Sequence, residues 1–411
     1  MRGWRYAVIQ PSETQVRESR PPLSDRSILT LLALISATGP VALNIYLPAL
    51  PSVQQEFAAS VPDVQWSLSL ALIAYASGLL LCGPLSDRFG RRPVLLGGIV
   101  VFLVGVVMCL VAASLQWLVA GRCVQAIGTA AGLIVSRAIV ADLYPREKMA
   151  GMIASLTMVM VIGPTVAPSI GGWLVVQFGW RSLFVFLLGV GAAILWATWR
   201  YLPETRGEQT HPAGPRDQWR AARALLRRPL FAGFTLQGAV IYAVFLVFIS
   251  IAPYVMVTGL GRPPTEYGTY YLLVAFGYFM GNWVVTRFGV RLGSLSLMNQ
   301  GVAIATVSTL IALTLHQLGL VHPVWIFVPM GILAFGQGMA LPNVNASAVS
   351  LAPQNAGLAS SIVGFTQQIV GAVCVQWIGT YPVDTPLPML IFCAVASIFA
   401  LVVLRTFMQR R

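Results

Sequence analysis

The sequence contains 411 residues, of which 57% are hydrophobic and only 9% are charged. Soluble globular domains carry about 25% charged residues, because polar side chains must cover the surface that faces water. The composition therefore excludes a soluble enzyme, a nucleic-acid-binding protein and a secreted disulfide scaffold, although the net charge is +13. It predicts a protein that crosses a membrane several times.

Residues 1–27 are polar and rich in arginine, which predicts a cytoplasmic tail and not a cleaved signal peptide. Twelve apolar segments follow, each close to the length of about 20 residues that a helix needs to cross a bilayer. The predicted spans are 28–50, 65–85, 94–113, 116–141, 150–177, 181–202, 229–258, 267–286, 294–315, 321–342, 356–379 and 387–407.

One long polar segment, residues 203–228, separates the sixth span from the seventh. It is charged and contains proline, which is typical of a linker. We therefore predict an all-α integral membrane protein with twelve transmembrane helices. Its two six-helix halves are 28–202 and 229–407, and residues 408–411 form a second cytoplasmic tail.

The two halves echo each other after their second spans, where residues 87–92 read DRFGRR and residues 286–291 read TRFGVR. Many secondary transporters are built from such repeats and bind their substrate between them. No GxxxxGK[ST] motif occurs, so nothing indicates ATP as the energy source.

Lys and Arg are distributed unevenly between the connections. Alternate connections, together with both tails, hold nearly all of them, whereas the other connections hold only Arg181 and Arg262. Because basic loops stay on the cytoplasmic side, we expect both termini in the cytoplasm of a bacterial cell, with the spans in its inner membrane.

The most specific pattern is the segment 83–92, GPLSDRFGRR. It resembles the loop motif of the major facilitator superfamily between the second and third spans. A helix-end aspartate can accept hydrogen bonds from a neighbouring helix N-terminus or an arginine. We therefore expect this cluster to latch the two halves in one conformational state and to break in the other. The alternative is an ordinary basic loop. The residues assigned to the latch are Gly83, Asp87, Arg88, Gly90, Arg91 and Arg92.

The fourth span contains Arg122 within a segment that resembles the RxxQG motif of the same superfamily. An arginine inside a span costs at least about 2.5–3.5 kcal/mol on insertion scales, so it usually serves a function or pairs. Arg122 is interpreted as a cavity residue that influences proton or substrate binding. Alternatively, it bonds backbone carbonyls of the first span. Arg137 lies further along the same span. Either it is a second functional arginine of the cavity, or its side chain snorkels towards the cytoplasm.

The fifth span contains the segment 163–172, GPTVAPSIGG. It resembles the glycine- and proline-rich signature of the antiporter branch, with two extra residues and a second proline. The resemblance favours export, whereas a packing kink is the alternative. The residues that carry it are Gly163, Pro164, Pro168, Gly171 and Gly172.

Four further segments narrow the resemblance to the Bcr/CflA subfamily of drug-resistance exporters, which includes bicyclomycin and chloramphenicol pumps. They are 44–51 (NIYLPALP), 137–144 (RAIVADLY), 336–343 (GQGMALPN) and 356–361 (AGLASS). The similarity extends from about residue 28 to residue 407. It implies the major facilitator fold, alternating access, a small-molecule substrate, no cofactor and a monomer.

One departure from the subfamily affects the mechanism. Asn44 occupies a position where the subfamily usually has an acid that carries the proton, and an amide does not titrate. Among the remaining acids, Asp142 at the inner end of the fourth span is the candidate proton carrier, coupled to Arg137. Arg122 and Arg137 complete the set of residues assigned to proton coupling. The alternative is that Asp142 is solvated or pairs with a loop arginine.

Without a central acid, we expect a neutral, zwitterionic or anionic substrate. In the superfamily, the first, fourth, seventh and tenth spans of the chain line the cavity. The resemblance assigns to that cavity Asn44, Arg122, Gln125, Tyr242, Phe245, Phe335 and Gln337.

The sequence thus predicts export of a drug-like molecule or a peptide-derived metabolite, in exchange for protons. A dedicated exporter of a self-made antibiotic, siderophore or amino-acid derivative is the alternative. An uptake facilitator and a non-transporting sensor on the same fold remain less favoured. No nucleophile–base pair or metal-ligand spacing stands out, so neither an enzyme nor a metal site is expected.

Overall fold

A computed structural model describes residues 25–144, 146–206, 215–352 and 355–408, and these residues contain helices but no strands. The long helices are α1 (Asp25–Tyr46), α2 (Val61–Phe89), α3 (Arg91–Leu110), α4 (Leu115–Leu143), α5 (Arg146–Phe178), α6 (Ser182–Tyr201), α7 (Pro229–Tyr254), α8 (Pro264–Leu292), α9 (Ser294–Gln317), α10 (Val324–Ser350), α11 (Ala356–Ile378) and α12 (Leu387–Met408).

Shorter helical segments accompany them. Leu47–Ala49 and Leu50–Glu56 extend α1, Val255–Gly259 extends α7, and Pro215–Leu226 lies within the predicted linker. Most of the predicted N-terminal tail, the C-terminal tail beyond residue 408 and the middle of the linker lie outside the described residues.

The predicted all-α membrane fold is confirmed. Within the described residues, ten helices are long and apolar enough to cross a membrane. The other two, α5 and α8, have 33 and 29 residues. Every predicted span overlaps one long helix, and several helices extend further than expected. Many large apolar side chains, such as Val111, Trp199 and Phe276, are exposed on the outside of the bundle, as a lipid-facing surface requires.

Short connections make successive helices antiparallel, so the bundle has two ends. We call the end where α1 and α7 begin the linker end, because the segment between α6 and α7 lies there, and the opposite end the far end. Even-numbered helices run from the far end to the linker end, and odd-numbered helices run the other way.

The buried apolar side chains show how the halves meet. One large cluster contains residues of both halves, including Tyr46 and Phe184 from the first and Phe248 and Phe327 from the second, all towards the far end. At the linker end, each half has its own separate cluster. Among the described side chains, the halves therefore share an apolar core at the far end and have separate cores at the linker end.

Polar contacts between the halves lie at the same far end. At the contact of α2 with α11, the Ser69 hydroxyl donates to Gln376 Oε1 at 2.7 Å, and Gln376 Nε2 donates to the Pro62 carbonyl at 3.0 Å. Where α5 meets α8, the Ser169 hydroxyl donates to the Gly268 carbonyl at 2.8 Å. These bonds satisfy polar groups that lipid could not.

The segments 87–92 and 286–291, which are similar in sequence, do not occupy equivalent positions in the structure. The joint between helices in the second half lies about one helical turn later than the sequence similarity predicts. Gly90 joins α2 to α3 at a φ of 100°, which favours glycine. Its counterpart in the sequence, Gly289, remains helical, because α8 continues to Leu292. The equivalent one-residue joint falls instead at Gly293, with a φ of 76°.

Substituting Gly172 tests the contact between α5 and α8. A Cβ at Gly172 would lie 2.5 Å from the carbonyl oxygen of Pro264 in the other half, whereas a Cβ at Gly189 would meet nothing within 4 Å. We expect Gly172→Ala to destabilise the protein by about 1–3 kcal/mol through overpacking. The control Gly189→Ala should stabilise it by up to about 1 kcal/mol, because alanine favours helix.

The measurement is thermal unfolding of the two variants in the same detergent. A Gly172→Ala protein as stable as the Gly189→Ala protein would contradict the close approach of the two halves.

Candidate functional site

A cavity of about 410 Å³ lies between the two halves. Four helices of each half line it: α1, α2, α4 and α5 from the first, and α7, α8, α10 and α11 from the second. Its wall is mostly apolar, with a few polar side chains. A concave, apolar site with a small number of placed polar groups is typical of a small-molecule site.

Six of the seven predicted cavity residues lie in this lining, namely Asn44, Arg122, Gln125, Tyr242, Phe245 and Gln337. Phe335 does not. It precedes Gln337 by two residues, about 200° around a helix, and therefore lies on the other side of α10. Its carbonyl oxygen is only 2.1 Å from where a Cβ on Gly281 of α8 would be.

Arg122 lies in the wall of the cavity, and its guanidinium is hydrogen-bonded to other groups of the chain. Its side chain is 3% exposed. The guanidinium donates to Gln125 Oε1 and, at 3.3 Å, to the Ala42 carbonyl of α1. Its Cζ lies 4.5 Å from the centre of the Tyr46 ring. Arg122 therefore bonds a carbonyl of α1 and also lines the cavity. Its influence on proton or substrate binding stays a prediction.

Asn44 forms a hydrogen bond between the halves. The Tyr271 hydroxyl of α8 donates to Asn44 Oδ1 at 3.1 Å, while Asn44 Nδ2 donates to the Pro40 carbonyl at 2.8 Å. The amide thus uses one acceptor and one donor at once, as a protonated acid could. Tyr271 was missed in the sequence because it lies far along the chain in an apolar span.

Arg137 also lines the cavity and is half-buried. It forms no hydrogen bond or ion pair with the rest of the described chain. No aspartate or glutamate is found among the described residues of the lining. The described part of the cavity wall therefore carries two guanidinium groups and no carboxylate.

Asp142 lies outside the cavity lining and shares an arginine with Asp87. Arg91 Nε donates to Asp142 Oδ2 at 3.0 Å, and Arg91 Nη1 donates to Asp87 Oδ1 and to the Ser86 hydroxyl. The Arg91 side chain is buried, whereas Asp142 is partly exposed. The alternative interpretation of Asp142, a pair with an arginine beside the loop, matches this geometry. Its role as a proton carrier stays a prediction.

Glu204, which lies in the predicted linker 203–228, completes this cluster. Its carboxylate accepts the backbone N–H of Arg91 at 2.9 Å and of Arg92 at 3.1 Å, at the start of α3. A carboxylate is favourable there because the helix N-terminus carries a partial positive charge. The sequence pattern that could have indicated this contact is an acid directly after the sixth span, combined with two arginines just before the third span.

Partial burial acts to raise the pKa of the Glu204 carboxyl group. Backbone N–H donors from Arg206, Arg91, Arg92 and Thr205 outweigh that effect and hold the pKa below its usual value.

The remaining latch residues surround the same joint. Arg92 Nη2 donates to the Trp199 carbonyl at 2.6 Å, and the carbonyl of Arg88 accepts a hydrogen bond from Arg206. Gly83 packs loosely, because a Cβ there would be 3.8 Å from Ile134. Within the described residues, each of these bonds joins groups that precede α7, so the cluster stays within the first half. In this conformation it does not join the two halves, and the latch between them stays a prediction.

The glycine- and proline-rich segment of α5 faces two partners. Gly171 packs against α1, where a Cβ would lie 2.3 Å from the Ile45 carbonyl, and Gly172 packs against α8. Gly163 approaches Val41 of α1, while Pro164 and Pro168 lie within the helix. Pro164 also lines the cavity.

The sequence profile of the Major Facilitator Superfamily matches residues 32–375. Multidrug resistance protein D of Escherichia coli K12 is 29% identical over 84% of this chain and 87% of that protein. A bicyclomycin resistance protein homolog of Haemophilus influenzae is 27% identical over 91% and 94%. A chloramphenicol resistance protein of Pseudomonas aeruginosa is 31% identical over 88% and 86%.

Solved structures share the fold at low identity. A peptide transporter POT in complex with alafosfalin has a TM-score of 0.79 at 16% identity, covering 97% of both chains. A bacterial homolog of the human lysosomal transporter Spinster, in an inward-facing and occupied conformation, has a TM-score of 0.73 at 19% identity, covering 94% of this chain and 98% of that one. These similarities agree with the resemblance drawn from the motifs.

The pH dependence of stability tests Glu204. Because its pKa is lowered in the folded state, its contribution is present above the unfolded pKa of about 4.3 and is lost as the pH falls through the lower folded value. We expect Glu204→Gln to destabilise the protein at pH 7 by a few tenths to about 1 kcal/mol. The difference from wild type should shrink as the pH falls below the unfolded pKa and should disappear once the pH is below the folded pKa.

Thermal unfolding between pH 3 and 7 measures this effect. Glu266→Gln, which removes a partly exposed acid with a single ion pair of 3.6 Å, is the control. A wild-type advantage over Glu204→Gln that persists unchanged at the lowest pH would rule out the carboxylate as its source.

Proposed function

We propose that this chain, which belongs to the major facilitator superfamily, exports a drug-like small molecule by alternating access, in exchange for protons. The observation that carries the proposal is the cavity of about 410 Å³ between two six-helix halves that meet at one end only. Relatives named for multidrug, bicyclomycin and chloramphenicol resistance support drug-like substrates.

The fold supports a mechanism in which the halves rock about the cavity. In the present conformation, the shared apolar cluster seals the far end, and the separate linker-end clusters leave the other side apart. Rocking would exchange these two arrangements and carry the bound molecule from one side to the other. Far-end contacts such as Tyr271 with Asn44 would then break and re-form in each cycle.

The chain is a multi-pass protein of a bacterial inner membrane, and the distribution of basic residues supports a cytoplasmic linker end. Arg88, Arg200 and Arg228 lie at that end, whereas Arg181 and Arg262 lie at the far end. With this orientation, both termini are cytoplasmic and the cavity faces the cytoplasm. That is the state in which an exporter loads its substrate.

The charge of the wall supports a neutral, zwitterionic or anionic substrate. A cationic molecule would have to approach Arg122 and Arg137 without any carboxylate among the described lining residues. Like charges in a medium of low dielectric repel strongly. The apolar remainder of the wall would accept the uncharged part of the molecule.

Proton exchange requires a group that titrates, and the acids beside the joint of α2 and α3 are the candidates. Asp142 and Asp87 share the buried guanidinium of Arg91. Protonation of Asp142 would weaken one of the two ion pairs that hold α3 to α4 and α2. Coupling would therefore act through the latch and not through the cavity wall.

Proteoliposomes with a proton-sensitive dye test this proposal. We expect bicyclomycin or chloramphenicol to be transported with movement of protons in the opposite direction, and Asp142→Asn to abolish the proton movement. Asp384→Asn, in an exposed position at the far end, is the control and should behave as wild type.

Two results would contradict parts of this account. Transport without any proton movement in the wild-type protein would make it a facilitator, with Asn44 marking the loss of coupling. Proton movement that survives in Asp142→Asn would exclude Asp142 as the carrier.

A further inference from the structure

The two arginines of the cavity wall differ in what they bind. Arg122 donates to Gln125 and to the Ala42 carbonyl, and its guanidinium lies over Tyr46. Arg137 has no such partner within the described chain, although it is half-buried and lines the same cavity. One guanidinium is thus already bound by the protein, and the other is available to a ligand.

Both arginines project from α4 on nearly the same face. They are fifteen residues apart, which is about 22 Å along an α-helix and about 60° around it. Arg122 is near the far end, which is closed, whereas Arg137 is near the linker end, where the halves are apart. A molecule that enters from the linker end meets Arg137 before it reaches Arg122.

Burial without a counter-charge is costly for a guanidinium. An arginine at membrane depth normally pairs or lines a wet cavity, and its five donors match the geometry of a carboxylate in two parallel hydrogen bonds. No acid among the described lining residues can provide that partner. A ligand that brings its own oxyanion would supply the missing counter-charge.

We propose that Arg137 is an anion-binding subsite of the cavity, which takes a carboxylate or similar oxyanion of the exported molecule. This inference rests on the proposed function and narrows its substrate class. Arg137 binds the anionic group near the cytoplasmic opening, and the apolar walls of α7 and α8 hold the rest of the molecule. Arg122 keeps the first half together and adds its charge at the closed end.

Three compounds that share one aromatic scaffold and differ in charge test the subsite. They are chloramphenicol succinate, which is anionic, chloramphenicol, which is neutral, and its deacylated amine, which is cationic. Binding to the full chain in nanodiscs should be about tenfold or more tighter for the succinate than for the neutral parent. The amine should bind more weakly than the parent.

Substitution of Arg137 should remove the charge preference. Arg137→Gln should lower the ratio of the affinity for the succinate to that for chloramphenicol to about one. Arg137→Lys should retain part of the preference, because it keeps the charge but not the bidentate geometry. Arg405→Gln, at an exposed position of α12, is the control and should retain the full preference.

A second measurement does not depend on finding a substrate. Leu133 also lines the cavity, one helical turn before Arg137. In a chain whose half-buried Cys123 and Cys374 are replaced by alanine, Leu133→Cys should react faster with a sulfonate-bearing methanethiosulfonate than with the trimethylammonium reagent. The ratio of the sulfonate rate to the trimethylammonium rate should be about tenfold higher than for a free thiol in solution. In the Arg137→Gln variant the ratio should return to that of the free thiol.

The two measurements separate the subsite from the function. If Arg137→Gln leaves both the succinate preference and the reagent ratio unchanged, the subsite is wrong even where drug transport is found. If none of the three compounds binds, a ratio that depends on Arg137 still supports the subsite, and a ratio that does not depend on it overturns it. If no panel compound is transported but the ratio depends on Arg137, the proposed function fails and the subsite stands.

Discussion

The charge of one buried cavity constrains everything else that the protein can do. Arg122 is buried and Arg137 is half-buried between the two halves, and no carboxylate of the described lining neutralises them. The protein meets part of this cost itself, through the carbonyl of Ala42, the amide of Gln125 and the ring of Tyr46. The remaining cost falls at Arg137, where water or an anionic ligand must provide the counter-charge.

This charge also bears on the driving force. A membrane potential that is negative in the cytoplasm drives the export of an anion with about 2.3 kcal/mol per charge per 100 mV. A cavity that selects anions would therefore gain energy from the membrane potential as well as from proton exchange. Asn44 fits such a cavity, because its amide bonds Tyr271 without adding a negative charge beside Arg122.

Two further clusters of contacts lie at opposite ends of the bundle and stabilise different parts of it. The far-end contact combines a shared apolar core with glycine surfaces, where Gly172 and Gly268 let backbones of opposite halves approach closely. At the linker end, Arg91 joins Asp87 to Asp142, and Glu204 caps the start of α3. Among the described residues this second cluster lies wholly before α7, so it stabilises the first half and does not join the two halves at the linker end.

Sequence length and hydropathy predicted the helices well, because each span must satisfy its own backbone hydrogen bonds in lipid. Motif resemblance placed six of seven residues in the cavity wall. Phe335 lies outside the lining, because a helix position two residues from Gln337 faces the opposite side of α10. Glu204 and Tyr271 were missed for a different reason: their partners lie more than a hundred residues away, and only folding brings them together. The one-turn displacement from Gly289 to Gly293 has no signature that we can identify in the sequence.

The central claim is that the two halves rock about this cavity. It is tested most directly by distances between spin labels in nanodiscs, with one pair at each end of the bundle. Exposed positions suit both pairs: Val111 with Leu318 at the far end, and Trp199 with Val290 at the linker end. The account predicts two populations for each pair, with a ligand shifting the far-end and linker-end distances in opposite directions. A single fixed far-end distance under all conditions, while transport proceeds, would contradict it.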